Sequence, residues 1–396
     1  MPTKRHLALV AACTLAVVAV WTNVVPRSAG AEPTLTVAGE LPTWAAPGAR
    51  LRLRGRTSAD TRVVLWIGKR ARARTVSGPR GGFRLRARAP RTPGRYSVAI
   101  VAAGTRAELG TLRVRPLRLA AVGDVTFGDG VLTAIRANGA RYPWRSVAPV
   151  LRGADLAVAN LEGAVSTRGA PWPGKFYAFR GPPYALRAAA SFAGVDVVSL
   201  ANNHSLDYGR TAFRDTIRHA RRFGIAPMGG GADLRLARRP AILVRGNLRV
   251  AFLGFSDVRP LGFDAGASRP GATPAFPEYI RPDVRAARRR ADVVVVYFHW
   301  GAERATTPSL RQRSFAQIAL DAGAHVVLGS HPHVLQPIER KRKRLVAWSL
   351  GNFVFPAHSP GTERTGILRL ELGAHGVIGH GFRRARIHGV QPRLAR

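Results

Sequence analysis

Four apolar runs in this chain each stop abruptly at a short polar segment rich in metal-binding side chains: LRLAAV before Gly123-Asp124, VDVVSLA before Asn202-Asn203-His204, DVVVVYF before His299-Trp300-Gly301, and AHVVLGS before His331-Pro332-His333. An unbroken, β-branched run reads as a strand buried on both faces. In an open α/β sheet, ligands gather beyond the carboxyl ends of such strands. Asp, Asn and His delivered there from distant parts of the sequence can converge on one spot. The pattern therefore predicts a metal site at one rim of a parallel sheet.

The segment before residue 117 follows another rhythm. Between about 33 and 115, short alternating runs such as Arg50–Arg54, Arg62–Ile67 and Gly82–Arg86 are separated by Gly, Pro and Ser turns, with no helical period. This spacing predicts a small all-β, immunoglobulin-like sandwich. Leu51 and Leu53 alternate with Arg52 and Arg54, which gives one buried and one basic face. From 117 to 396 the order becomes strand, loop, helix, the pattern of a layered α/β domain. Helices are expected at Val131–Ala137, Thr211–Phe223, Arg281–Arg290 and Ser309–Ala322. A tight turn at Gly246-Asn247 joins two strands. The Gly- and Pro-rich stretch Ser256–Glu278 reads as a long loop near the site.

Residues 1–31 combine a basic start (Lys4, Arg5, His6), an apolar stretch from Leu7 to Trp21 and the small-residue pattern Ala29-Gly30-Ala31. That is a signal peptide or a retained membrane anchor, and either places the remainder outside the cytoplasm. The chain has one cysteine, Cys13, inside this stretch, so the ligands of any metal are oxygen and imidazole. The formal net charge is +40, carried mostly by arginine spread along the chain. Such a surface suits polyanions. Export argues against nucleic acid as the partner and leaves an anionic cell-surface polymer or its precursor.

Asp124, freed by Gly123 to turn sharply toward a ligand, is a candidate metal ligand. Glu162, in Asn160-Leu161-Glu162, ends another apolar run and is a second. Asn202, Asn203 and His204 follow a buried strand, where unpaired polar groups are costly. Asp207 is placed to hold His204 in one tautomer. His331 and His333 are spaced to point the same way in an extended segment. Glu303, Asn160, Asn202, Asn352 and the aromatic Trp300 are candidates to line the pocket.

In order, AVGDVTFGD, ANLEGAVS, SLANNHSLDYG, YFHWGAE, GAHVVLGSHPHVLQPIE and WSLGNFVF resemble the CapA family of bacterial capsule (poly-γ-glutamate) synthesis proteins, over about Leu117 to Phe355. The family is similar to the calcineurin-like metallophosphoesterases. The resemblance implies a four-layer α/β/β/α sandwich holding two divalent ions of the Mn, Fe or Zn type. Asp124 would bridge them; Asn203, His299, His331 and His333 would complete the set; His204 would protonate the leaving oxygen. An Asp-x-His element is absent before Asp124, and Glu162 is the residue available to substitute. The implied reaction is hydrolysis of a phosphoester or related bond, a γ-glutamyl amide included. The rival reading is a non-catalytic assembly or export factor, within a membrane-bound synthesis complex, that binds an anionic polymer such as poly-γ-glutamate.

Overall fold

The computed structural model describes residues 35–395, so the signal or anchor segment expected at 1–31 lies outside the described residues. Strands Thr36–Ala38, Arg50–Arg56 and Gly82–Arg88 form a three-stranded antiparallel sheet. Trp44–Ala45, Thr105–Val114, Gly94–Ala102, Arg62–Ile67 and Arg70–Val76 form a five-stranded one, in that spatial order. Leu51, Leu53, Phe83 and Leu85 of the first sheet share a buried core with Val63, Leu65, Val98 and Ile100 of the second. The arginines that alternate with them stay exposed.

Two larger sheets follow. In one, the parallel strands Ala226–Met228, Val197–Ser199, Leu156–Leu161 and Leu117–Val125 continue into the antiparallel strands Arg364–Gly373, Gly376–His388 and Gln391–Leu394. Asn352–Val354 pairs beside the upper end of Leu117–Val125. In the other, Leu248–Ser256, Val293–His299, Val326–Ser330 and Arg344–Ala347 run parallel between the antiparallel edges Ala241–Arg245 and Ile338–Lys341.

Alternation decides the layering. Leu117, Leu119 and Ala121 face a core shared with Val250, Val293, Val295 and Val326 of the other sheet. Ala120 and Val122, one step out of phase, face Val131, Ile135 and Phe213 on the helices. Val294, Val296 and Val327 do the same against Val284, Phe315 and Ala319. Sheet therefore packs on sheet, with helices outside both. Strands covered on two faces have no polar side to show, which is why they read as continuous apolar runs.

The four longest helices among the described residues are Asp129–Asn138, Gly209–Arg222, Pro277–Arg290 and Leu310–Ala322, each close to its expected position. Ser309 and Gln312 close a reciprocal capping box at the last. The turn at Gly246-Asn247 has φ of 51° and 59°, as a two-residue hairpin turn requires. No helix among the described residues is long and apolar enough to cross a membrane.

Candidate metal centre

Strand register brings the site together. Asp124 pairs with Asn160 on one side and Asn352 on the other, and His299 pairs with Ser330. Asp124, Asn160, His299 and Ser330 lie at or beside the carboxyl ends of parallel strands, and Asn352 opens the short strand Asn352–Val354. Tyr297 ties the sheets by donating its hydroxyl to the Val122 carbonyl at 2.8 Å. Gly123 permits the closest approach: a Cβ there would lie 1.8 Å from the Gly351 carbonyl oxygen.

Asp124 is fully buried. Its Oδ1 accepts from Asn160 Nδ2 at 2.8 Å, and its Oδ2 accepts from the His331 backbone N–H at 3.1 Å. His333 Nδ1 lies 3.4 Å from Oδ2. Burial opposes ionisation of Asp124, but the hydrogen bond and charge of His333 outweigh it and hold the carboxyl well below its usual range. Burial likewise opposes the charged form of His333. The charge of Glu162 and the hydrogen bond to Asp124 overcome that and raise its pKa to about 10.

Glu162 is the most telling residue. It is fully buried, yet neither carboxylate oxygen has a hydrogen-bond partner among the described residues. Its Oε1 is surrounded instead by three imidazole nitrogens: His204 Nε2 at 3.8 Å, His299 Nε2 at 3.8 Å and His333 Nε2 at 4.0 Å. These distances are too long for hydrogen bonds but suit ligands that share a cation. Burial and the nearby Asp124 charge push the Glu162 carboxyl well up. His331 Nδ1 is a further buried nitrogen without a partner among the described residues. Ligand atoms of Glu162, His299 and His331 lie within 4.8 Å of one another, as do those of Asp124, Glu162 and His333.

Burial favours the neutral form of His299 and His331. Burial, then the charge of His331, drives the His299 pKa well below its ordinary value. Burial and the charge of His333 lower that of His331 to about 4. Neutral imidazoles beside buried carboxylates form a donor set suited to Mn, Fe or Zn rather than Ca. The residues present therefore fit a divalent-metal centre. Asp124, Glu162, Asn203, His299, His331 and His333 would hold the ions. His299 Nε2 and Asn203 Oδ1 already lie 2.7 Å apart.

One expectation about the imidazole pair needs correcting. His331 and His333 do not lie in an extended segment: their φ angles are 94° and 59°. Two non-glycine residues in the left-handed region form a strained loop, and that loop, rather than strand alternation, turns both rings inward.

The remaining candidates divide. Asn160 donates to Asp124, lies 3.3 Å from His299 Nδ1 through its Nδ2, and accepts from Asn202 Nδ2 at 3.1 Å. Asn202 also donates to the Leu161 carbonyl and accepts from the His204 backbone N–H. Asn352 Oδ1 lies 2.7 Å from His333 Nδ1. These three amides brace the ligands from behind and are not pocket lining. Trp300 is also misplaced by the sequence reading. It is fully buried on the helix side of its sheet, stacks on Phe298 with centroids 4.5 Å apart, and donates to the Trp348 carbonyl. Glu303 is exposed, but its carboxylate groups with the His331 and His333 nitrogens at the rim.

His204 stands at the edge of the metal set, stacked on Phe179 at 4.4 Å. Asp207 Oδ2 lies 2.7 Å from its Nδ1. Nδ1–H donates to this carboxylate, leaving Nε2 toward Glu162. Asp207, fully buried, also accepts from the Phe179 backbone N–H at 2.6 Å and from Lys175 Nζ. Lys175 further donates to the Asn203 carbonyl, so one ammonium ties the His204 partner to the backbone of a ligand. Burial lowers its pKa against the opposing charge of Asp207. Lys175 and Phe179 escaped the sequence reading because their loop has no periodicity. A usable signal was present: Lys175 is one of only five lysines in an arginine-rich chain.

Known proteins carry the same kind of chain. The family model for "Bacterial capsule synthesis protein PGA_cap" matches residues 118–357. The PGA biosynthesis protein CapA of Bacillus subtilis (strain 168) is 33% identical over 263 residues, which cover 65% of this chain and 68% of that protein. The capsule biosynthesis protein CapA of Bacillus anthracis is 32% identical over 271 residues, covering 66% of this chain and 65% of that one. The chain thus spans about two thirds of the length of these relatives. Among solved structures, a 5'-nucleotidase precursor from Thermus thermophilus aligns at a TM-score of 0.42 and 13% identity, over 69% of this chain and 54% of its own. The family match covers more than half of the sequence and contains every strand-end motif of the metal set, so this chain belongs to the bacterial capsule synthesis protein PGA_cap family.

Proposed function

We propose that this chain is an exported, metal-dependent hydrolase that acts on a phosphoester or related bond during synthesis of an anionic capsule polymer. The observation that carries the reading is the Glu162 carboxylate, buried without a hydrogen-bond partner and faced by three imidazoles 3.8 to 4.0 Å away. An unpaired buried carboxylate is costly, and a cation shared with Asp124 and the histidines removes that cost. Bound divalent ions would supply Lewis-acid polarisation and activation of water.

The chain's own residues do the rest. Asp124 is fixed by Asn160 and His331, and Asn352 orients His333. Phe179 and Asp207 hold His204 so that its Nε2 faces the reacting region; with Nδ1–H bonded to Asp207, the proton given to the departing oxygen is the Nε2 proton of the imidazolium, which the Asp207 charge favours against burial. The layering of helices outside two packed sheets supports a metallophosphoesterase-like α/β/β/α architecture for residues 117–396. The strand orders of the two small sheets support an immunoglobulin-like module over 33–115. The basic, apolar start of the sequence supports export, with placement on the outer face of the cell membrane.

The test is elemental analysis of protein purified without chelator, followed by turnover of generic phosphoesters with added Mn. Bound metal near two equivalents and turnover lost in D124A support the reading. A metal-free protein that stays inert when metal is added overturns it. A second reading, a non-catalytic assembly factor in a membrane-bound synthesis complex, is favoured by the exposed arginines of the N-terminal sheet. It predicts bound polymer without turnover.

A further inference from the structure

The three-stranded N-terminal sheet turns Leu51, Leu53, Phe83, Leu85 and Ala87 inward. Its outer face carries Arg50, Arg52, Arg54 and Arg56 on one strand and Arg84, Arg86 and Arg88 on the next, all exposed. The register sets Arg50 opposite Arg88, Arg52 opposite Arg86 and Arg54 opposite Arg84. Directly opposed side chains start about 5 Å apart, and alternate residues along a strand recur about every 7 Å. The result is a ladder of guanidinium groups in two columns. Thr36 and Ala38 on the neighbouring strand face Arg56 and Arg54, and their small side chains leave the ladder uncovered.

Like charges placed opposite one another destabilise a sheet. Nothing in this sheet relieves them, since its three strands contain no Asp or Glu. Arg50 reaches Asp292 at 3.5 Å, while Arg56 and Arg88 donate to the carbonyls of Arg80 and Gly48. Among the described residues Arg52, Arg54, Arg84 and Arg86 have no carboxylate partner. A general richness in arginine accounts for the number of these residues but not for three stacked pairs, two of them free of acid among the described residues.

We propose that this ladder binds an extended, linear polycarboxylate of the polyglutamate class, lying along the strands. Each carboxylate is received by guanidinium forks, whose planar donors match it two bonds at a time. Other polyanions fit the face less well. It presents no exposed aromatic ring on which nucleobases could stack, because Phe83 points inward. It offers no exposed large apolar side chain to enter a bilayer. The ladder lies outside residues 118–357, the span matched by the family model. The choice of polymer rests on the capsule-polymer reading above.

The test uses the full chain, a fluorescently labelled poly-γ-glutamate oligomer and anisotropy titrations at several salt concentrations. The variants are R52Q/R54Q/R84Q/R86Q and its all-lysine counterpart, with folding checked by circular dichroism. The glutamine variant is expected to bind about 100-fold more weakly, with the slope of log affinity on log salt smaller by roughly 3, about 0.7 for each charge removed from a flexible polyanion site. The lysine variant is expected to fall between, keeping charge but losing the fork. Affinity within twofold of the parent in the glutamine variant overturns the proposal. So does tighter binding of the parent to poly-dT, polyphosphate or phosphatidylglycerol vesicles. A D124A/H333A variant separates the two readings. Metal lost with polymer affinity kept is the expected result. Polymer affinity lost there but kept in the glutamine variant sinks the ladder alone, and a parent chain without metal that still depends on the four arginines sinks the metal centre alone.

Discussion

Glu162 Oε1 and His299 Nε2 lie 3.8 Å apart, both side chains completely buried and neither oxygen of the carboxylate hydrogen-bonded among the described residues. A pair so close, so dry and so poorly matched suits a shared cation better than a direct salt bridge. It implies that the cost of burying Glu162 depends on what is bound.

Opposite effects are therefore expected from E162Q under two conditions. In chelator, the variant gains about 1–3 kcal/mol, because an amide that can donate as well as accept replaces a buried carboxyl group with no hydrogen-bond partner among the described residues. With saturating Mn, the parent gains stability through binding and the variant gains less. Thermal melts with EDTA and with Mn check both signs, and equal metal-induced shifts in the two proteins would refute the ligand role.

Substitution tests the proposed proton-donor role of His204 and its support. H204Q is expected to lower kcat on a poor leaving group by about 10²–10⁴-fold, with metal content unchanged. A smaller loss is expected with an activated leaving group that departs without a proton. D207N acts through His204, so it is expected to follow the same leaving-group dependence with a smaller amplitude.

Lys175 braces Asp207, and the Lys175 side chain is 14% exposed while that of Asp207 is 0% exposed. Breaking one half of a buried pair leaves the other charge stranded, so K175M is expected to cost about 3 kcal/mol. K175M/D207N is expected to recover at least about 1 kcal/mol of that loss, as coupled neighbours do. Urea denaturation of the four proteins measures the coupling.

His325 supplies a pH test remote from the metal. It is buried, and its Nδ1 accepts the Val294 backbone N–H at 3.1 Å. Burial, then the charges of Arg288, Arg344 and His375, lower its pKa from 6.5 to about 4. A histidine with a depressed folded pKa stabilises the fold fully above about pH 6.5, and the contribution is lost as pH falls toward 4. The loss is expected to approach about 3 kcal/mol. Urea midpoints between pH 4 and 7 are expected to fall steeply in the parent and less in H325Q.

Gly123 is expected to tolerate no side chain, since a Cβ would sit 1.8 Å from the Gly351 carbonyl oxygen. G123A is expected to cost about 3 kcal/mol or more. G381A, where a Cβ meets nothing within 4 Å, is expected to stay within about 0.5 kcal/mol of the parent. Chemical denaturation compares them.

Most of the candidate cluster was legible from the amino acids because buried parallel strands leave a strong trace. Val293–His299 is apolar until its last residue, and a polar residue at that point has a defined place in space. The amides were legible as site residues but not as braces: whether Asn160 meets a substrate or Asp124 depends on the pairing of Leu117–Val125 with Leu156–Leu161. Trp300 was misread because one step past His299 reverses the side chain from the site to the helix layer.

Sequence alone determined the periodicities: where two-sided strands run, which end of each carries Asp, Asn or His, and which N-terminal strands alternate leucine with arginine. Those are local properties, fixed by the side-chain period of a strand. Tertiary structure decided what no local pattern encodes. It placed Lys175 under Asp207, turned His331 and His333 inward through left-handed backbone, and left Glu162 buried without a partner. Each of these depends on contacts between segments far apart in the chain, and the energy of a buried charge is set by its three-dimensional neighbours rather than by its neighbours in sequence.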